Sequence, residues 1–229
     1  MGCATTPMPL TDTYFSTHDH RLRHRLEEVM TDRERGQKTG DAIVVRVTAD
    51  ETDGAFVEFE LTLYPRASST GDEYTLSHER WMIDFPVEHV HPQQAEHWQV
   101  LSGELAVSYG EVEDSLKEGD TVRLPAGVPH RIWNPSDEPS RVTLAFHPAL
   151  EAQSLTETLY VLAQRGKMDE RGRVNPVQFA VTQAAHPDHL YVTSVPVRLQ
   201  KALVNVLAPI GRYAGYRPRY SLDELESGH

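Results

Sequence analysis

Four side chains between positions 89 and 130 have the residue types of a metal-binding site. They are three histidines and one carboxylate: His89, His91, Glu96 and His130. Imidazole nitrogens combined with a carboxylate oxygen suit a divalent transition metal such as iron, manganese, nickel or zinc. A metal held in this way can act as a Lewis acid or take part in redox chemistry, so the set predicts one mononuclear metal site per chain.

The local pattern indicates how the chain would bring the first three of these side chains together. Residues i and i+2 of a strand project from the same face of a sheet, so His89 and His91 can face one point. The Pro-Gln-Gln sequence at 92–94 is typical of a turn. Such a turn would let the next strand carry Glu96 back towards the two histidines.

A second strand and a second turn complete the predicted set. Alternation along the strand places Glu96 and Trp98 on one face and His97 on the opposite face, which excludes His97 as a ligand. The Pro-Ala-Gly sequence at 125–127 predicts a tight turn. His130 follows this turn on a new strand, from which it can close the ligand set.

These residues form two motifs that resemble those of the cupin superfamily. The first motif, G-x5-H-x-H-x3,4-E-x6-G, is matched at His89, His91, Glu96 and Gly103, with Ile83 in place of its leading glycine. The second, G-x5-P-x-G-x2-H-x3-N, is matched at Gly119, Pro125, Gly127, His130 and Asn134. Agreement at these positions in order makes the resemblance specific for a small single-domain cupin. Residues 156–216 are more weakly similar to the helical C-terminal extension of uncharacterised prokaryotic cupins.

The resemblance implies a mainly β fold, in which a cupin jelly-roll β-barrel carries His89, His91, Glu96 and His130 as metal ligands. We expect an N-terminal helix before the barrel and a helical extension after it. Trp98 is expected to line the barrel near the metal. Ile132 and Asn134 are expected near its mouth, so these three residues are the predicted substrate pocket.

The chain is predicted to have three regions. Residues 1–40 form an N-terminal arm and a helix over 17–35, and residues 41–150 form the barrel. Strands are expected at 42–48 and 55–63, because alternate residues of the second are apolar. Between them and the first ligand, the segment 64–88 is interpreted as an additional strand or as a lid over the metal.

Residues 151–229 are predicted to be helical with a frayed polar tail from 221. Ser154 would cap a helix to 165, and Asn175-Pro176 would open another, to 185. A last helix over 197–212 carries an apolar stripe of Leu199, Leu203, Val206, Leu207 and Ile210. We expect this stripe to dock on the barrel or on a second subunit in a homodimer rather than on a membrane surface.

Composition limits the partners and the compartment. The net charge of −12, from 22 basic and 34 acidic residues, disfavours nucleic acid as a partner. No apolar stretch reaches the length of a membrane-spanning helix. The single cysteine, Cys3, permits no intramolecular disulfide, which is consistent with a cytoplasmic protein whose partner is a small molecule.

Three classes of function remain compatible with these predictions. The favoured one is an oxygenase-type enzyme, such as a dioxygenase, that acts on a small organic molecule. Metal-dependent isomerases, lyases or hydrolases use the same ligand types, and some members of a fold bind a metal or small molecule without catalysis. Dependence on iron and dioxygen would distinguish the first class from the others.

Overall fold

The computed structural model describes residues 43–63, 88–168 and 174–226 of the 229-residue chain. The predicted helix over 17–35 and nearly all of the segment 64–88 lie outside these ranges, so both stay predictions. Among the residues that the structure does describe, no helix combines the length and the apolarity needed to span a bilayer.

Within these ranges, ten strands form two five-stranded antiparallel sheets. The strands are β1 (Ile43–Val47), β2 (Val57–Leu63), β3 (His89–Val90), β4 (Ala95–Ser102), β5 (Glu104–Tyr109), β6 (Val112–Lys117), β7 (Thr121–Leu124), β8 (His130–Trp133), β9 (Ser140–His147) and β10 (Tyr191–Val192). One sheet has the order β1-β2-β9-β4-β7 and the other has the order β10-β3-β8-β5-β6. Their antiparallel pairing confirms the predicted β architecture of the cupin type.

Strand β2 shows why this sequence forms a sheet with one buried face. Its residues alternate strictly between buried and half-buried positions, and Val57, Phe59 and Leu61 are at most 1% exposed. The strand pairs with β9 without a break from Val57 to Leu63. Every second side chain of the strand therefore enters the common core, as predicted for a half-buried strand.

The turn between β4 and β5 depends on Gly103. This residue has φ +84°, a conformation that side chains with a Cβ rarely adopt. A Cβ built on it would lie 2.6 Å from Ser140 Oγ and 2.9 Å from Ser140 Cα. Ser140 Oγ also accepts a hydrogen bond from Glu104 N at 3.0 Å. The glycine of the first motif therefore lets the turn pack directly on the start of β9.

In the described part of the chain, four α-helices come after strand β9. They are α1 (Ala152–Gln164), α2 (Pro176–Ala185), α3 (Val197–Tyr213) and α4 (Asp223–Glu226). The predicted cap of α2 is confirmed, because Asn175 Oδ1 accepts hydrogen bonds from Val177 N and Gln178 N. The predicted cap of α1 is wrong. The helix already begins at Ala152, so Ser154 lies within its first turn and its hydroxyl contacts His186 Nε2 instead.

Helix α3 packs through the face opposite to the predicted one. Ala208 and Gly211 are buried, and a Cβ on Gly211 would lie 2.5 Å from Cγ2 of Val181 on α2. Glycine therefore permits the close approach of the two helices. Leu203 and Val206 of the predicted docking stripe are 48% and 62% exposed. Docking of this stripe on the barrel is not seen in the part of the chain that the structure describes.

The tail is ordered further than predicted. Arg217 donates hydrogen bonds from Nη1 and Nη2 to the two carboxylate oxygens of Glu224, each at 2.8 Å. Arg165 Nη2 approaches the same carboxylate at 3.3 Å. These ion pairs connect α4 to the end of α1 and to the loop after α3, so residues 221–226, where the described range ends, are held rather than frayed.

Candidate metal centre

The structure brings the four predicted ligands into one buried cluster. One potential ligand atom of each of His89, His91, Glu96 and His130 lies within 4.8 Å of the others. All four side chains are at most 6% exposed. The cluster joins the two sheets, because His89 pairs with His130 across β3 and β8, whereas Glu96 lies on β4 of the other sheet.

The carboxylate lies between two of the imidazoles. Glu96 Oε1 is 2.9 Å from His91 Nε2 and 3.4 Å from His130 Nε2. The rings of His89 and His130 have their centroids 4.4 Å apart, so the third histidine closes the same group. A single ion placed among these atoms would be reached by side chains from three strands and one turn.

Backbone carbonyls determine the tautomers of two histidines. His91 Nδ1 lies 2.7 Å from the carbonyl oxygen of His189, and His130 Nδ1 lies 2.9 Å from that of Val128. A carbonyl can only accept, so in both rings Nδ1 carries the hydrogen that is donated. In the neutral imidazoles Nε2 then carries a lone pair, and this lone pair faces Glu96.

This arrangement requires a positive charge at the centre of the cluster. Two Nε2 lone pairs and a carboxylate oxygen would repel one another unless a proton or a metal ion lies between them. His130 Nε2 is buried and makes no hydrogen bond of acceptable geometry to any described residue. An unpaired buried acceptor facing a carboxylate is the chemistry of a metal ligand. The donor set therefore fits a divalent transition metal.

In the metal-free chain, the pKa values of Glu96 and His130 are shifted by the close contact between the carboxylate and the imidazoles. Burial by itself raises the pKa of Glu96, but the adjacent imidazoles of His91 and His130 outweigh burial and hold this pKa well below its usual range. Burial by itself lowers the pKa of His130, but the contact with Glu96 outweighs it and raises this pKa above its ordinary value. The cluster thus attracts a cation even before a metal is considered.

Trp98 holds the second oxygen of the carboxylate. Its Nε1 donates a hydrogen bond to Glu96 Oε2 at 2.7 Å, and the indole is only 3% exposed. Both residues lie on the same face of β4, as their spacing predicted. Because Oε2 is held by the indole, Oε1 is left directed at the histidines. Trp98 therefore orients a ligand in addition to its predicted place beside the metal.

The other two residues of the predicted pocket are equally buried, and their contact with a substrate stays a prediction. Ile132 is 3% exposed and belongs to the apolar core. Asn134 Nδ2 donates to the carbonyl oxygens of Leu63 and Glu138, at 2.9 and 2.7 Å, and its Oδ1 accepts from Ser136. These bonds use the Asn134 amide to connect the loop before β9 to the end of β2, a structural role that the motif alone did not indicate.

His97 lies where the alternation of β4 placed it. Its ring is half-buried outside the cluster, with its centroid 5.9 Å from that of His147. Burial, and then the positive charge of Arg123, lower the pKa of His97. The structure therefore places this histidine outside the cluster, in agreement with its exclusion as a ligand.

His189, in the C-terminal extension, is a part of the site that the sequence analysis missed. Its side chain is 4% exposed, and its ring centroid lies 5.0 Å from that of His91 and 5.7 Å from that of Phe146. Burial, and then the neighbouring His91, hold the pKa of His189 well below its ordinary value. Its Nδ1 is buried and has no hydrogen-bond partner in the described ranges.

The turn between the ligands is anchored by Gln94. Its Nε2 donates to the carbonyl oxygens of Pro148 and Ala149, at 2.9 and 2.8 Å, and the side chain is 1% exposed. A second contact holds the other motif to the same region, because Gly127 N donates to the carbonyl oxygen of His91 at 2.8 Å. The two motifs are thus connected through the backbone as well as through the cluster.

Comparison with known proteins supports the resemblance that the motifs suggested. Residues 84–146 match the family model of the cupin domain. A protein from Arthrobotrys oligospora that is named an oxidoreductase is 35% identical over 71 residues, which are 30% of this chain and 28% of that protein. The chain therefore spans less than a third of the length of this curated relative.

Two solved structures are similar to about half of this chain at low identity. One is a sugar phosphate isomerase of the cupin superfamily from Silicibacter pomeroyi, with 22% identity and a TM-score of 0.34, covering 48% of this chain and 62% of that one. The other is a protein from Thermus thermophilus, with 21% identity and a TM-score of 0.37, covering 52% of this chain and 95% of that one.

Proposed function

We propose that this chain, which contains a cupin domain over residues 84–146, binds one divalent transition metal and acts as an oxygenase-type oxidoreductase on a small organic molecule. The observation that carries the proposal is the buried cluster of three histidines and one carboxylate, whose ligand atoms lie within 4.8 Å of one another. Three neutral imidazoles and one carboxylate leave a divalent ion with a net charge of about +1 and with open coordination positions.

The surroundings of the cluster suit a site that is prepared before the metal arrives. His91 and His130 are held by backbone carbonyls with Nε2 facing inwards, and Trp98 directs Glu96 at the same point. Partners of this kind fix ligand orientation and commonly contribute about 10–100-fold to metal affinity. A bound metal would supply Lewis-acid or redox chemistry. The protein residues hold it, orient it and exclude bulk water from its buried side.

The relative from Arthrobotrys oligospora supports the oxidoreductase part of the proposal through its name. Its similarity is limited to a short region, so the reaction is carried by the chemistry of the cluster and is open to direct test. Oxygenase chemistry requires a redox-active metal and dioxygen. It therefore differs in both requirements from isomerisation, decarboxylation or hydrolysis at a redox-inert ion.

The decisive experiment begins with anaerobic purification and loading with Fe(II), Mn(II), Ni(II) or Zn(II) in parallel. We expect one equivalent of metal per chain by elemental analysis, and dioxygen uptake with the iron form on a panel of small phenols and organic acids. Chelator-treated protein is the matched control. Turnover supported by zinc, or turnover that continues without dioxygen, would exclude the oxygenase and favour a lyase, isomerase or hydrolase.

Trp98→Phe is expected to lower metal affinity about 10-fold, because it removes the donor that directs Glu96 and leaves Oε2 buried without a partner. Titration of the purified variant with Zn(II), in competition with a chromophoric chelator, measures this change. Trp133→Phe is the control, since this ring lies under the Arg131 guanidinium, 4.6 Å from it, and no contact with the cluster is described. Equal affinities for the two variants would mean that Trp98 does not orient the carboxylate.

A further inference from the structure

The short segment His189–Thr193, here called the arm, lies directly against two of the proposed ligands. Within it, β10 pairs with β3 so that Val192 lies opposite His89 and Tyr191 lies opposite Val90. Thr193 N donates to the carbonyl oxygen of Glu88 at 3.1 Å, just before the first ligand. The arm therefore adds an edge strand to the sheet that carries His89.

The arm also provides the hydrogen bond that determines the tautomer of His91. The carbonyl oxygen of His189 accepts from His91 Nδ1 at 2.7 Å, and the two residues are 98 positions apart in sequence. Because both side chains are buried, water cannot readily replace this acceptor. Loss of the bond would leave the Nδ1–H of His91 unsatisfied or let the hydrogen move to Nε2, where it would block metal coordination.

Helix α3 holds the arm in place through one side chain. Gln200 Nε2 donates to the carbonyl oxygens of Val192 and Val195, at 2.8 and 2.6 Å. Gln200 Oε1 accepts from Val192 N at 3.3 Å. Two hydrogen bonds to Val192 therefore connect a helix of the extension to the strand that lies beside the ligands, and the third holds the loop that follows this strand.

We propose that the arm is a positioning element of the metal centre, which holds His91 with Nε2 facing the cluster and whose own position depends on Gln200. This inference deepens the proposed function and rests on it for the identity of the cluster as a metal site. It also gives the C-terminal extension a role in the barrel, because the extension supplies a part of the centre that the two sequence motifs lack.

The test combines metal affinity with a direct measurement of the tautomer in the full-length protein. Gln200→Ala removes the hydrogen bonds of the amide that holds the arm, and Thr193→Val removes the bond that Thr193 Oγ1 donates to Glu88 Oε2 at 2.6 Å. Both variants are expected to lower Zn(II) affinity about 10-fold, in the range found for groups that orient metal ligands. In the metal-free protein, nitrogen-15 NMR of the imidazoles should show His91 protonated at Nδ1 in the wild type and partly at Nε2 in Gln200→Ala. Asn205→Ala, an exposed position on the same helix, is the control.

The outcomes separate this proposal from the proposed function. An unchanged His91 tautomer in Gln200→Ala, or Zn(II) affinity unchanged in both variants, would overturn the positioning role. If the wild type binds no metal, the proposed function fails. The tautomer measurement, which needs no metal, still decides whether the arm sets the state of His91.

Discussion

His130→Ala and His91→Ala are each expected to abolish stoichiometric metal binding. Each variant removes one of four ligand atoms that lie within 4.8 Å of one another, and the cavity left behind is buried. A site that has lost an imidazole also loses the geometry that a transition metal prefers. The wild type should gain stability on metal addition, by about 2.7 kcal/mol at a metal concentration about 100 times the dissociation constant. Neither variant should show this gain.

Elemental analysis after equilibrium dialysis measures the first effect, and thermal unfolding with and without metal measures the second. His97→Ala is the matched control, because it removes a histidine of β4 that the structure places outside the cluster. This control should retain one equivalent of metal and the full gain in stability. Metal contents equal to that of the wild type in both His91→Ala and His130→Ala would refute the ligand assignment.

Gly103→Ala is expected to destabilise the metal-free protein by about 3 kcal/mol, as the sum of two separate penalties. The backbone at φ +84° strains any residue that has a Cβ. The new methyl group would also meet Ser140 at 2.6 Å from its hydroxyl and 2.9 Å from its Cα, where the neighbour includes backbone and cannot simply rotate away. Urea unfolding of the chelator-treated protein measures the loss.

Gly110→Ala separates these two penalties. Gly110 has φ +57°, but a Cβ there meets nothing within 4 Å. This control should therefore lose only the strain contribution, on the order of 1 kcal/mol. If both variants lost the same free energy of unfolding, the close contact with Ser140 would have no energetic effect, and the packing reason for the motif glycine would be wrong.

The cluster was predictable because its side chains obey local rules. His91 directly follows β3, and its i, i+2 spacing from His89 favours a common direction for the two rings, as the alternation along β4 does for Glu96 and Trp98. The tight turn before His130 follows from its proline and glycine. The two motifs combined these local rules into one pattern, which is why the four side chains could be grouped before their distances were known.

The arm could not be predicted in the same way. The group that orients His91 is a backbone carbonyl, and every residue has one, so no residue type indicates it. The contact also spans 98 positions, and only the tertiary structure determines which carbonyl arrives there. The spacing of His189 from the four ligands in the sequence indicates no contact with them. A histidine can belong to a site through its main chain, which a search for ligand side chains does not detect.

The packing of α3 and the order of the tail were predicted wrongly for a different physical reason. An apolar stripe predicts that some surface covers it, but it does not say which one. In α3 the small residues Ala208 and Gly211 provide the closer contact, so they face α2 while Leu203 and Val206 of the predicted stripe are exposed. The tail was predicted to fray because it is polar. One of its polar residues, Glu224, instead forms ion pairs with Arg217 and Arg165, and these ion pairs hold the segment in place.

Gln94 limits where the barrel and the helical extension can be separated in a chimeric protein. Its amide donates both hydrogens to main-chain carbonyls at 148 and 149, on the far side of the last barrel strand. The loop at 92–94, between the ligands, and residues 148–149, where the extension begins, should therefore be kept together when segments are exchanged between proteins. A chimera that takes the barrel from one protein and the helices from another should join them beyond position 149, and its new helices must still supply the contacts of the arm. A crossover placed between the two would transplant the ligands without the support on which their loop rests.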